Sequence, residues 1–151
     1  MILGPDLVEL ICGGVAVLVS TRDSDLQPEI VRAWGLDVSA DGSSLMLCVP
    51  AAPGSRTAAN LESNGEVAAL FVSSTDYRAI QVKGRAESLT APTPEQLQLI
   101  EQHVLVRLID PEISHSVGNP LDERAPASPS RLPRSGRAFG LNDLDLGVAD
   151  E

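Results

Sequence analysis

Five aliphatic runs, each closed by a turn signal after roughly ten residues, constrain this chain more than any other feature. They are VAVLVSTRD (15–23), EIVRAWGLDVS (29–39), SLMLCVP (44–50), EVAALFVSS (66–74) and YRAIQVKGRAESLT (77–90). Short runs rich in Val, Ile and Leu at this spacing predict strands of a small barrel or sandwich. ADG at 40–42 is a hairpin turn between the second and third. Gly84 inside the fifth marks a bulge or a close backbone approach. The βαβ alternation of a nucleotide-binding parallel sheet is absent, as is a GxGxxG fingerprint.

Three helices interrupt the strands. Residues 3–12 place Leu7, Leu10 and Ile11 on one face behind Pro5, and Gly13-Gly14 stop them. SRTAANLES runs to Asn64-Gly65, where glycine accepts a left-handed ending. Over 93–110, Thr93, Pro94 and Gln96 form a capping-box start, and Leu97, Ile100, Val104 and Leu108 form one apolar stripe. The expected class is therefore mainly β, of the α+β kind. From Gly118 to Arg137 four prolines and few large apolar residues predict an extended or disordered arm. The expected organisation is a barrel domain over 1–117 and a Pro/Arg-rich tail over 118–151. Phe139, Leu141, Leu144 and Leu146 would let the tail's last part dock on the body or on a partner subunit. Its Arg124, Arg131, Arg134 and Arg137 would bring positive charge.

The chain has 151 residues and a formal net charge of −10, which argues against a nucleic-acid partner but leaves room for a local pocket for one small anion. Aromatic residues are 3%, so the core must be built from aliphatic side chains. Cys12 and Cys48 show no paired or metal-ligand spacing and, with no signal peptide, fit a reducing cytoplasm as buried small hydrophobes. No apolar run is long enough for a transmembrane helix. His103 and His115 lie in no nucleophile–base–acid pattern, and no catalytic residue or metal site emerges.

Three local patterns point to binding. In PAAPGSRTAANLESNG (50–65), a Pro/Gly loop meets a helix at Ser55-Arg56-Thr57. Either these residues only start the helix, or they hold an anion against its free N–H groups, with arginine adding bidentate contacts. Arg32 and Trp34 are two apart, so a regular strand turns them to one face, beside a ring-binding groove or into a packed interface. Gln81 and Lys83 likewise share a polar strand face, solvated or ligand-facing.

The order GGVAVLVSTRD, QPEIVRAWGLDVSADGSSLMLCV, GSRTAANLESNGEVAALFV, YRAIQVKGRAES resembles the pyridoxamine 5'-phosphate oxidase-like, flavin-binding split barrels over residues 5–110. The sharpest parts are Ser55-Arg56, Asn60-Leu61, Asn64 and Gln81-Val82-Lys83-Gly84. The resemblance implies a six-stranded Greek-key split barrel, a homodimer, and flavin mononucleotide (FMN) in a groove at the subunit interface. It implies cofactor contacts from Arg32, Trp34, Ser55, Arg56, Thr57, Gln81 and Lys83. The third motif position is Thr57 rather than lysine, and the strand with Arg32 carries no lysine, so the implied phosphate site is thin in charge. No second basic cluster is evident for a substrate phosphate, so pyridoxamine phosphate itself is not the expected substrate. The resemblance leaves open a flavin-dependent oxidoreductase, a non-catalytic carrier of flavin, deazaflavin (F420) or haem, and a cofactor-free dimer.

Overall fold

Alternation along the first aliphatic run sets the architecture. In β1 (Ala16–Arg22), Val17, Val19 and Thr21 are buried, while Leu18, Ser20 and Arg22 face outward. The computed structural model describes residues 2–73, 76–87, 89–109 and 136–147. The other strands are β2 (Pro28–Arg32), β3 (Gly35–Val38), β4 (Leu45–Pro50), β5 (Glu66–Val72), β6 (Ala79–Ala86) and β7 (Gly136–Gly147). The helices are α1 (Pro5–Cys12), α2 (Arg56–Asn64) and α3 (Pro94–Ile109).

Every strand pairs antiparallel with its neighbours, in the order β2-β1-β5-β6-β7-β4-β3. The run 29–39, expected as one strand, is one stretch of chain shared between two sheet edges. The Ala33 N–H donates to the Val17 carbonyl of β1, and the Trp34 N–H donates to the Cys48 carbonyl of β4. Because β2 and β3 are the two ends of the sheet order, this crossing closes the sheet into a barrel. With β2 and β3 counted as one broken stave, the barrel has the expected six. Gly35 follows the crossing because α3 lies there: a Cβ would sit 2.8 Å from Ile100 Cγ1 and 3.3 Å from the Ile100 backbone.

The barrel is filled by aliphatic side chains, among them Val17, Val19, Leu45 and Leu47, together with both phenylalanines, Phe71 and Phe139. α2 turns Thr57, Asn60 and Leu61 inward, and Asn60 Nδ2 donates to Thr21 Oγ1 at 3.1 Å. α3 opens with the expected capping box: the Thr93 N–H donates to Gln96 Oε1 at 2.9 Å, and the Gln96 N–H to Thr93 Oγ1 at 3.3 Å. The segment 138–147, expected to dock on the body or on a partner, is part of β7, inserted between β4 and β6. Residues 110–135, with Arg124, Arg131, Arg134 and His115, lie outside the described residues, as does the course of the expected arm.

A second, smaller apolar cluster sits outside the barrel. Cys48, Ala138 and Ile100 meet there with Trp34 and Met46. Cys48 is buried as expected, and burial pushes its thiol up to about 11. Cys12, expected to be buried too, is instead exposed at the end of α1, and its thiol is raised by partial desolvation and by the Asp37 carboxylate. Thiolate is the reactive form, so the two cysteines should separate chemically. At pH 8, titration with dithiobis(nitrobenzoate) should find one reactive thiol per native chain and two in guanidinium. Two equally fast native thiols would contradict the burial of Cys48.

Candidate functional site

The outward residues of β2, β1, β5 and β6 line up across the sheet. One row reads Arg32, Leu18, Leu70, Gln81; the next reads Ile30, Ser20, Ala68, Lys83 and then Asp145 on β7. One step further along lie Pro28, Arg22, Glu66 and Arg85. These rows hold four of the chain's 11 basic residues, Arg22, Arg32, Lys83 and Arg85, against two of its 21 acidic ones, Glu66 and Asp145. A chain of net charge −10 thus presents one cation-rich face. The same face carries exposed apolar side chains, Ile30 at 64% and Leu18 at 38% exposure. An apolar surface ringed by cations suits a flat organic ligand with an anionic end.

Three of the residues singled out from the sequence, Arg32, Gln81 and Lys83, lie in these rows, and Trp34 adjoins them at the Arg32 end. Arg32 ends β2 and Trp34 lies in the crossing to β3 rather than on one regular strand, yet the guanidinium lies 4.9 Å from the indole centroid. Burial lowers the pKa of the Arg32 guanidinium. Its buried Nε finds no hydrogen-bond partner among the described residues. Gln81 is half-buried at the far end of the same row, and Lys83 is exposed on the next. A groove of about 360 Å³ opens beside Lys83, bordered by Ser20, Arg22, Pro28, Glu66 and Ala68.

Ser55, Arg56 and Thr57 go elsewhere. The Ser55 hydroxyl caps α2, accepting from the Ala58 N–H at 3.3 Å. Arg56 is exposed at the mouth of the β1–β2 hairpin, 4.0 Å from Asp23 Oδ2 and 3.9 Å from Glu29 Oε2. Two carboxylates already offset its charge. Thr57 is 1% exposed and faces inward, its hydroxyl without a hydrogen-bond partner among the described residues. The three consecutive residues therefore form no common pocket within one protomer. A separate hollow of about 570 Å³ lies along the 51–55 loop and α2, and Arg137 of β7 reaches it.

Sequence reasoning missed Ser20, Arg22, Glu66 and Arg85. Alternation within VAVLVSTRD does turn Leu18, Ser20 and Arg22 to one side, but nothing local says that Lys83 and Arg85 are across from them. Among the described residues no group of His, Cys, Asp and Glu is arranged to hold a metal ion, and no helix is long and apolar enough to cross a membrane.

A closed antiparallel barrel whose one broken stave is shared between the two ends of the sheet is the architecture of the split-barrel class. The family model described as pyridoxamine 5'-phosphate oxidase matches residues 4–121, and the chain belongs to that family. Among solved structures, an F420 reductase is similar over 96% of this chain and 98% of its own, at 14% identity and a TM-score of 0.60. HupZ of Group A Streptococcus matches over 95% and 92%, at 15% identity and TM-score 0.54. The heme storage protein HutZ of Vibrio cholerae matches over 98% and 95%, at 17% identity and TM-score 0.52. These likenesses establish a shared fold. A search among curated proteins gave no match.

Proposed function

We propose that the chain is a homodimeric split barrel that holds FMN on the outer face of β2-β1-β5-β6 and carries out redox chemistry on a small organic molecule. The observation that carries this reading is the gathering of Arg22, Arg32, Lys83 and Arg85 beside exposed Leu18 and Ile30 on one face of an acidic chain. FMN pairs a flat ring system with a phosphate, and the residues present fit both. The outer nitrogens of the Arg32 guanidinium and the Gln81 amide would hold ring or ribityl oxygens, and Lys83 would offset phosphate charge. Bound flavin would supply the electron chemistry; the chain's residues bind it, orient it and exclude water. Leu18, Ile30 and Leu70 give a second copy an apolar surface to cover, and a two-fold axis would present the same patch from both sides.

The same face fits other flat anions, so the test is uptake by the purified protein of FMN, F420 or haem, offered separately and read by absorption, with mass by light scattering. FMN taken up by a dimer supports the reading. A protein that takes up none of the three ends it. F420 or haem alone would replace FMN while keeping the face. Arg32→Met should weaken FMN binding about 10–100-fold, the range of a charged hydrogen bond. Arg56→Ala should change it less than about 3-fold, because Asp23 and Glu29 already offset that charge. The reverse ranking would return the phosphate to the start of α2. Oxidation of a reduced nicotinamide by the loaded protein would separate an enzyme from a carrier.

A further inference from the structure

The groove beside Lys83 carries more than the cofactor reading asks of it. Ser20, Ala68 and Lys83 sit directly across from one another on β1, β5 and β6. Two interstrand spacings, about 9.6 Å, separate the Ser20 and Lys83 backbones, and only the Ala68 methyl stands between them. The Ser20 hydroxyl makes no hydrogen bond, and the Lys83 ammonium no ion pair, among the described residues. One step along, Arg22 Nη2 is held by Glu66 Oε2 at 2.6 Å. Arg22 Nη1 also donates to the Asp23 carbonyl at 3.1 Å. These two contacts leave other guanidinium donors unused, and the Arg22 and Glu66 side chains both keep more than a third of their surface in solvent. The groove thus offers a hydroxyl, an ammonium and a guanidinium, all donors, against one carboxylate.

We infer that this groove is a subsite for a phosphate-class oxyanion, seated over Ala68 between Ser20 and Lys83, with Glu66 tempering its strength by occupying Arg22. The inference deepens the proposed function and rests on it for the oxyanion's source, the cofactor's own phosphate or a phosphate on the substrate. Glu66 acts in two ways: its charge opposes an incoming anion, and its contact turns Arg22 away from one. Removing that charge should therefore strengthen binding, a sign that no merely structural role for the pair would give.

The test is calorimetric titration of the full chain with inorganic phosphate at low ionic strength, with chloride as the screening control. Lys83→Met should weaken phosphate binding at least about 10-fold and Ser20→Ala about 3-fold, whereas Glu66→Gln should tighten it about 3–10-fold. All three positions have outward-facing side chains, and circular dichroism checks that each variant folds. Equal affinities in wild type, Lys83→Met and Glu66→Gln would overturn the inference, as would the absence of saturable binding in both wild type and Glu66→Gln. Two further arms assign the source. If the cofactor supplies the oxyanion, phosphate competes with FMN, and Lys83→Met narrows the preference for FMN over riboflavin. If the substrate supplies it, phosphate binds the FMN-loaded protein with the same dependence on Lys83. Phosphate bound with this pattern by a protein that takes up no flavin would keep the subsite and remove the flavin reading. FMN uptake with no such phosphate dependence would do the opposite.

Discussion

Phe71→Ala is expected to lower the unfolding free energy by about 3–5 kcal/mol, the cost of removing a fully buried phenyl ring. Phe71 is completely buried in β5, directly across from Val17 of β1 and Ile80 of β6. With aromatic residues at 3% of the chain, few other large rings are available to fill the space. The surrounding valines and leucines are short or held by strand pairing and cannot collapse far into the hole. A domain of this kind has about 5–15 kcal/mol of stability in all, so the variant loses a large part of it. Urea unfolding measures the change; a loss below about 1 kcal/mol would mean that the ring does not fill the barrel.

Gly84→Ala is expected to cost about 1–3 kcal/mol, the range for overpacking a tight contact. A methyl at Gly84 would lie 2.6 Å from the Asn142 carbonyl oxygen and 2.9 Å from Leu141 Cδ2. The first is backbone, so relief requires β7 to move away from β6. The register of that pair already slips between Lys83 and Arg85, which interrupts the ladder there. Hydrogen exchange should therefore show faster opening along β7 than along β1 and β5. Uniform protection across all strands with unchanged stability would contradict the close approach.

Both readings offered for Gly84 from the sequence, bulge and close approach, describe the same place. The five strand runs up to residue 90, the capped helices and the family were legible because each is written in short stretches: alternation, a capping box, a Gly ending. β7 was not, because its place depends on β4 and β6. The division of 29–39 was not, because it depends on which partners Ala33 and Trp34 find, and those lie in β1 and β4. The site divides along the same line. Arg32 and Trp34 were readable as neighbours because they are two residues apart. Arg22 and Lys83 were not, because β5 brings their strands side by side. Thr57 carried a usable signal that the motif resemblance obscured: with Asn60 and Leu61 it has the i, i+3, i+4 spacing of a buried helix face.

The place of β7 has a consequence for how the protein is made. β4 and β6 are joined only through a strand that the ribosome delivers after the whole segment from Ala86 to Gly136. Until then both strands present open edges, and Phe139 and Leu141 are missing from the interior. The nascent chain is thus a barrel with a stave out, and its final closure is a long-range, slow event. The interval before it is when misassembly between chains is most favoured. The yield of folded protein should therefore depend on temperature and expression rate more than on equilibrium stability.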